Sequence, residues 1–186
     1  IGWYYTKQNK RPARIVIGKD TRRSSYMLEY AIAAGVAASG ADAYLLHVIT
    51  TPGVSYVTRL EAFDCGVMIS ASHNPHEYNG IKFFNGDGFK LDDEIEDQIE
   101  DIIIRNTDVN SHITGDKLGR CLDADEDALL HYAKYLTETI DCDLTGKKIV
   151  LDCANGAAYK VAEMVYSMLG ADITVIGNKP DGLNIN

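Results

Sequence analysis

Short apolar runs alternate with segments of helical character in the first part of the chain. Three of these runs predict strands, at residues 14–18, 43–48 and 66–70. The segment from Ser24 to Ser39 is rich in Ala, Leu and Met and precedes Gly40, a pattern that predicts a helix and its end. A second helix is predicted over residues 51–60, because Pro52 suits a first helical turn. Since the strands are apolar throughout, the pattern is typical of a parallel sheet covered by helices on both faces.

The pattern changes in the next part of the chain. Apolar segments at 81–84 and 89–91 flank Asn85-Gly86, a strong short-range signal for a hairpin, so antiparallel strands are predicted there. Isoleucines at helical spacing predict a helix over residues 92–105, and three acidic residues at its start favour a further helix over residues 125–139. The predicted fold class is therefore α/β, with a mixed, mostly parallel sheet between helices.

Residues 141–146 resemble a boundary between two domains. Three elements follow and form a new β-α-β unit: a strand at 147–152, a helix at 159–169 and a strand at 172–176. One such unit is too small to hold a domain sheet together. We therefore predict a first domain over residues 1–141 and the beginning of a similar, incomplete second domain over residues 142–186. The absence of an initiator Met suggests that the start is trimmed.

The composition is that of a soluble globular protein, with 46% hydrophobic and 24% charged residues and a formal charge of −9. A chain this acidic would repel phosphate backbones, so nucleic acid is not expected as a partner. Residues 1–30 nevertheless carry seven Lys or Arg against two Asp or Glu, an excess that could serve a small anion.

The sequence also argues against a membrane-spanning segment and against a zinc site. No apolar run approaches the roughly 20 residues that span a bilayer. The four cysteines form no C-x-x-C pair, and His47, His112 and His131 are too scattered to suggest a metal triad. A reducing cytoplasm is the expected location.

Polar residues of several types are concentrated directly after the third predicted strand. Ligands of open α/β sheets bind at the carboxyl ends of strands, so this loop lies where a site is expected. Its side chains include the hydroxyls of Ser70 and Ser72, the imidazole of His73, the amide of Asn74 and the ammonium of Lys82. A nucleophile beside groups that neutralise charge fits phosphoryl transfer. From the pattern alone, a turn capped by its own polar side chains is the simpler interpretation.

The motif Ser70-Ala71-Ser72-His73-Asn74-Pro75, followed by Tyr78-Asn79-Gly80-Ile81-Lys82, resembles the phosphoserine loop of the α-D-phosphohexomutase family. Three more segments resemble that family: Gly18-Lys19-Asp20-Thr21-Arg22 its first strand and loop, Thr51-Pro52 the start of its second helix, and residues 150–157 the start of its second domain. Residues 180–186 resemble its bacterial phosphoglucosamine mutase branch. The resemblance extends over nearly the whole chain from about Arg14, and it outweighs the simple-turn interpretation.

This resemblance implies a role for each residue of the loop. Ser72 would carry the phosphoryl group and pass it to a hexosamine 6-phosphate through a 1,6-bisphosphate intermediate. Lys82 would act as an acid, a base or a neutralising charge, and His73 would orient the loop or assist proton transfer. Three further residues are candidates for holding phosphate or substrate: Arg22, Ser70 and Asn74. A salt bridge at the helix start explains Arg22 about as well, and Ser70 is expected to support the loop.

Mg²⁺ is the cofactor that the resemblance implies, and Ser72 would contact it through its phosphate. The family's metal loop, D-x-D-x-D-R, does not occur in this chain. The nearest acidic run, residues 123–127, lacks the Arg and is interpreted as the start of a helix. The remaining metal ligands and the loops that recognise sugar and phosphate are therefore expected outside this chain. We expect an N-terminal fragment with negligible mutase activity of its own.

Several alternatives stay open at this point. The parent enzyme could be a phosphoglucomutase or phosphomannomutase of the same family, and the fragment could be a non-catalytic scaffold or a dimerisation unit. A homodimer is a possible assembly. A serine hydrolase is disfavoured because the chain has no G-x-S-x-G motif. A nucleotide-binding module is disfavoured because neither G-x-G-x-x-G nor a P-loop follows the first strand.

Overall fold

The computed structural model describes residues 1–105, 107, 109–110 and 113–186. His112 lies outside these described residues.

A five-stranded mixed sheet forms the centre of the larger unit. Its strands are β1 (Arg14–Lys19), β2 (Asp42–Val48), β3 (Cys65–Ile69), β4 (Ile81–Asn85) and β5 (Cys121–Asp123). They lie in the order β4-β3-β1-β2-β5, and only β4 runs antiparallel to its neighbour. The predicted mixed, mostly parallel sheet is therefore confirmed. β1 and β3 are almost completely buried, as expected of apolar strands that helices cover on both sides.

Helices pack on both faces of this sheet. They are α1 (Gly2–Asn9), α2 (Arg23–Ala38), α3 (Thr51–Leu60), α4 (Asp93–Ile104) and α5 (Asp125–Glu138). One core lies between the sheet and α1, α2 and α4, and the other lies between the sheet and α3 and α5. Alternate residues of each strand enter opposite cores, as shown by Val67 and Ile69 on the α2 side and Met68 on the α3 side. Within the described residues, no helix has both the length and the apolar character needed to cross a membrane.

A second, smaller unit follows α5. It consists of β6 (Lys148–Asp152), α6 (Tyr159–Met168) and β7 (Asp172–Ile176), with β6 and β7 paired in parallel. Its helix packs on α5, where Val161 and Val165 meet Tyr132 and Ala133. α5 therefore contributes to the core of the first sheet and also to the contact with the second unit.

Several features differ from the sequence-based expectation, and α1 is one of them, since no helix was predicted there. The predicted strand at 89–91 is reduced to a single antiparallel bridge between Phe84 and Lys90. The predicted hairpin is nevertheless present, because the Asn85 amide donates to the Phe89 carbonyl at 2.8 Å and the Leu91 amide donates to the Phe83 carbonyl at 3.0 Å. β5 was not predicted, because it has only three residues, two of them exposed, and its pairing with β2 joins segments far apart in the chain.

Candidate active site

The loop from Ser70 to Gly80 joins β3 to β4 at the carboxyl end of β3, and we call it the serine loop. Its base is closed by a hydrogen bond from the Ser70 amide to the Gly80 carbonyl, at 2.9 Å. A side chain at position 80 would bring a Cβ atom to 3.2 Å from the Ser70 carbonyl oxygen, so Gly permits this close approach. The Asp20 amide donates to the Ile69 carbonyl at 3.0 Å, which ties the loop after β1 to the start of the serine loop.

Ser72 has a left-handed backbone conformation, with φ of +57°. Non-glycine residues rarely adopt this region, and its strain of order 1–3 kcal/mol persists only where the surroundings enforce it. The buried Ser70 hydroxyl accepts a hydrogen bond from the Ser72 amide at 3.1 Å, so Ser70 contacts the backbone of the turn. The Ser72 side chain is exposed, and its Oγ lies 3.4 Å from Nδ1 of His73. A hydroxyl and an imidazole are thus neighbours on the open side of the loop.

Arg22, which lies between β1 and α2, forms hydrogen bonds with the serine loop. It is fully buried, and its Nη1 donates to the carboxylate of Asp20. Its Nη2 donates to the Ser72 carbonyl at 3.0 Å and also to the Asn74 carbonyl. Asp20 is held in turn by the Arg22 amide and by the Ser25 hydroxyl. The structure therefore joins Arg22 to the backbone on both sides of His73, and it also contains the Arg22–Asp20 salt bridge considered from the sequence.

The far end of the serine loop is anchored on the first turn of α2. The Asn79 side-chain amide donates to the hydroxyls of Ser24 at 2.9 Å and Ser25 at 3.0 Å. Its oxygen accepts from the Gly80 amide at 2.9 Å. Asn79 belongs to the motif around Ser72, but the sequence predicts no role for it. These contacts cross more than fifty positions of the chain, so no local pattern could have indicated them.

Asn74 and Lys82 occupy different positions around this loop. Asn74 is exposed, and its carbonyl accepts from Arg22. Lys82 lies at the start of β4, opposite Met68 of β3, and is exposed at the base of the loop. Among the described residues, no hydrogen bond or ion pair occupies the Lys82 ammonium, which leaves it available to an anion.

The smaller unit also reaches this region. The Thr21 hydroxyl donates to the Asn155 carbonyl at 2.5 Å, and the Arg23 amide donates to the Gly182 carbonyl at 2.9 Å. Gly182 has a φ of +93° and lies against the Arg23 backbone, so a side chain there would be strained and crowded. Asn186 Nδ2 lies 3.4 Å from the carbonyl oxygens of Ser72 and Asn74. The serine loop therefore lies where the two units meet.

The described residues contain no group of three His, Cys, Asp or Glu side chains arranged to hold a metal ion. The Asp20 carboxylate already accepts hydrogen bonds from the side chains of Arg22 and Ser25. The acidic residues Asp125, Glu126 and Asp127 lie in the first turn of α5, as predicted. The described side chains at the serine loop therefore offer no ready metal ligand set.

The structure brings five of the six predicted site residues into one contact network: Arg22, Ser70, Ser72, His73 and Asn74. Lys82 lies at the base of the same loop without a recorded contact to Ser72. The chemical roles given to these six residues stay predictions.

Comparison with known proteins places this geometry in context. A family model described as phosphoglucomutase/phosphomannomutase, alpha/beta/alpha domain I, matches residues 1–110. The chain is 52% identical over 185 residues to a phosphoglucosamine mutase of Caldicellulosiruptor bescii, covering 97% of this chain and 40% of that protein. It is 50% identical over 186 residues to a phosphoglucosamine mutase of Lachnoclostridium phytofermentans, covering 100% of this chain and 41% of that protein. The chain thus spans about 40% of the length of these curated relatives.

Solved structures share the fold at lower sequence identity. A phosphoglucomutase/phosphomannomutase family protein of Burkholderia thailandensis aligns with a TM-score of 0.75 and 23% identity, over 100% of this chain and 40% of that one. The open form of the Paramecium phosphoglucomutase parafusin aligns with a TM-score of 0.71 and 18% identity, over 98% of this chain and 39% of that one.

Proposed function

Because this chain belongs to the phosphoglucomutase/phosphomannomutase family, we propose that it supplies the phosphoserine of an enzyme that interconverts glucosamine 6-phosphate and glucosamine 1-phosphate. The observation that carries this proposal is the geometry of Ser72. Its hydroxyl is exposed on a strained turn that Arg22 and Ser70 hold from below, at the carboxyl end of a parallel sheet. This is the position at which open α/β sheets bind ligands.

The proposed reaction consists of two phosphoryl transfers. Phosphorylated Ser72 gives its phosphoryl group to O1 of glucosamine 6-phosphate, so the bond from phosphorus to Oγ breaks and a bond to O1 forms. The O1 proton passes to a base, and Oγ takes up a proton as it leaves. The 1,6-bisphosphate then turns over in the site, and its 6-phosphoryl group returns to Oγ of Ser72 by the reverse chemistry.

Two side chains would assist these transfers. Lys82 can neutralise the charge that develops on the moving phosphoryl group or exchange a proton with the sugar hydroxyl. His73 lies 3.4 Å from the Ser72 hydroxyl and can orient it or accept its proton. Arg22, Ser70 and Asn74 are proposed to hold the phosphate or the loop that carries it. The contacts of Arg22 and Ser70 support the second of these tasks most directly.

The sugar is proposed from the relatives. Those at 52% and 50% identity are both named phosphoglucosamine mutases, which favours a hexosamine phosphate and its 1,6-bisphosphate over glucose or mannose phosphates. A phosphoglucomutase or phosphomannomutase activity is the alternative within the family.

Mg²⁺ is the proposed cofactor. When bound, it would neutralise phosphate charge and polarise the transferring group. From this chain, Ser72 would contribute one ligand through its phosphate. The described side chains do not complete a metal site, so the remaining ligands are proposed to lie outside this chain.

We further propose a division into a first domain at residues 1–141 and part of a second at residues 142–186, because the two sheets fall on either side of this boundary. The chain alone is proposed to have negligible mutase activity. Cytoplasmic location and a homodimer complete the proposal, and sedimentation equilibrium of the full-length protein tests the dimer.

Mass spectrometry of the full-length protein, purified without phosphatase, tests the proposed function. We expect a phosphate on Ser72 that disappears when glucosamine 6-phosphate and Mg²⁺ are added. Ser72→Ala should carry no phosphate and lose turnover by several orders of magnitude, whereas Ser167→Ala on α6 should keep both. An unmodified Ser72 that accepts no phosphate from a hexosamine 1,6-bisphosphate would reject the mechanism. If glucose 6-phosphate removes the phosphate from Ser72 and glucosamine 6-phosphate does not, the result would favour the alternative activity.

A further inference from the structure

Lys19 and Glu29 form a buried ion pair at the carboxyl end of β1. The proposed chemistry does not use this pair. Lys19 is the last residue of β1 and is 1% exposed, whereas Glu29 lies in α2 and is 0% exposed. Lys19 Nζ donates to Glu29 Oε2 at 2.5 Å and lies 4.0 Å from the centre of the Tyr26 ring. Neither side chain contacts Ser72 in the described structure.

His47 holds Glu29 from the side of β2. Its Nδ1 lies 3.1 and 3.2 Å from the two carboxylate oxygens of Glu29 and 3.4 Å from Lys19 Nζ, and its Nε2 lies 3.2 Å from Asp123 of β5. A shift in the pairing of β1 with β2 falls beside His47, which has a φ of +51°. Such bulges re-aim a side chain. The network therefore links α2 to β1, β2 and β5.

Stability alone does not account for a pair of this kind. Removing two charges from water costs several kcal/mol per ion, and well-packed apolar residues of similar size often stabilise a core as much or more. A short charge-assisted hydrogen bond does differ from an apolar contact in fixing the distance between two elements. The Lys19–Glu29 pair therefore fixes the distance between β1 and α2.

The pair connects β1, through Lys19, to α2, through Glu29, and α2 begins beside the residues that bind the serine loop. The main chain at Lys19 is fixed by its neighbours, because its carbonyl accepts from the Ile49 amide at 3.1 Å and the following amide donates to Ile69 at 3.0 Å. Glu29 lies about two helical turns after Arg22. The first turn of α2 and the residue before it provide the loop contacts of Arg22, Ser24 and Ser25. A shift of α2 along β1 would move all of these contacts together.

We infer that Lys19 and Glu29 are positioning residues: their ion pair holds α2 at the place on β1 from which Arg22, Ser24 and Ser25 fix the serine loop and aim Ser72. The inference rests on the proposed function, since it gives the pair its purpose in phosphoryl transfer. A displacement of reacting groups by about 1 Å can slow a reaction roughly 100-fold, so a small movement of α2 is enough to matter.

The test compares three variants of the full-length enzyme. Lys19→Met/Glu29→Met replaces the pair with apolar side chains of similar length, and Glu29→Gln keeps the shape but removes one charge. Asp93→Asn is the matched control, because it breaks the Lys90–Asp93 pair, in which the two side chains are 70% and 85% exposed. Three quantities are measured: the melting temperature, deuterium uptake of the peptide spanning residues 70–80, and the single-turnover rate of transfer from phosphorylated Ser72 to glucosamine 6-phosphate.

We expect the double variant to melt close to the parent enzyme but to transfer phosphate roughly 10–100-fold more slowly, with faster deuterium uptake in the serine loop. The control should match the parent in all three measurements. Normal uptake and a normal rate in the double variant would overturn the inference, because the pair would then serve stability alone. If the double variant does not fold, Glu29→Gln decides at a temperature well below its melting point, by the same two readouts.

Failure of the proposed function gives a different result. A parent enzyme without phosphate on Ser72 and without turnover of any hexose phosphate would reject that function. Deuterium uptake of the serine loop would still decide whether Lys19 and Glu29 position it.

Discussion

At the scale of single residues, Arg22 is the side chain on which the candidate site depends most. Its guanidinium is fully buried and bonds to one carboxylate and two carbonyls. Removing it would leave Asp20 as a buried charge without its cation and would free the backbone on both sides of His73. Residues that hold a strained turn in this way determine both its stability and its shape.

We therefore predict that Arg22→Met lowers the free energy of unfolding by about 3–5 kcal/mol, as expected when one partner of a buried ion pair is lost. Urea unfolding followed by circular dichroism measures the change. Arg105→Met serves as the control, because Arg105 and Asp101 are 71% and 59% exposed and such a pair contributes about 0–1 kcal/mol. Equal effects of the two substitutions would contradict the role assigned to Arg22.

A second prediction at this scale concerns the core thiol of Cys65. Burial raises the pKa of Cys65 from the ordinary 9.0 to about 12. Between these values the unfolded chain loses the proton while the folded chain keeps it, so the free energy of unfolding falls as pH rises, by at most about 1.4 kcal/mol per pH unit.

The measurement is urea unfolding across the range from about pH 9 to 11. Cys65→Ala should decline less steeply than the parent chain, although burial also raises the pKa of Tyr5 and will keep part of the slope. Cys142→Ala is the control, because it removes a thiol that is exposed. A Cys65→Ala curve parallel to the parent curve would mean that Cys65 does not contribute.

At the scale of elements, the helices of the first unit begin in different ways. Thr50 caps α3 with its side chain, whose hydroxyl accepts from the Gly53 amide at 3.2 Å, and Pro52 follows in the first turn. The N-cap of α2 is Arg22, whose side chain makes no cap bond and points to the serine loop instead. The N-cap side chain of α2 thus bonds to the serine loop, whereas the N-cap side chain of α3 bonds to its own helix and stabilises it.

We predict that Thr50→Val lowers the free energy of unfolding by about 1 kcal/mol, the usual contribution of an N-cap hydroxyl. Thr50→Ser keeps the hydroxyl and should lose less than half of that. The same urea unfolding experiment compares the two variants. Indistinguishable values would show that the cap bond of α3 has no net effect.

At the scale of the whole molecule, the two units differ in how well they are enclosed. The first sheet has five strands with a core on each face, whereas the second has two strands and depends on α6. Val150 and Ile176 of the smaller sheet are 68% and 48% exposed. A sheet of two strands is marginal without further packing, so the two units should differ in local stability.

Hydrogen exchange tests this difference on the chain as it stands. We predict that amides of β6 and β7 exchange faster than those of β1 and β3, because local opening of the smaller unit exposes little additional core. The protection factors of the two sets of amides should differ at least about tenfold. This difference should be smaller in the full-length protein. Equal protection in both units would contradict the argument.

The sequence by itself determined the parts of this protein whose signals are local. Continuous apolar runs gave β1, β2 and β3, helix punctuation placed α2 and α3 within a residue or two, and the motif around Ser72 indicated the candidate site. Each of these signals arises from the backbone preferences and burial of neighbouring residues, so a single segment carries it.

Only the tertiary structure decided which distant residues meet. Arg22 forms the helix-start salt bridge considered from the sequence, with Asp20, and it also bonds to carbonyls about fifty positions away. Asn79 reaches α2 across a similar separation. The three-residue β5 and the Lys19–Glu29 pair likewise depend on partners that no nearby pattern predicts. Such contacts form because packing helices on a sheet brings remote groups within hydrogen-bond distance, and burial then requires each polar group to find a partner.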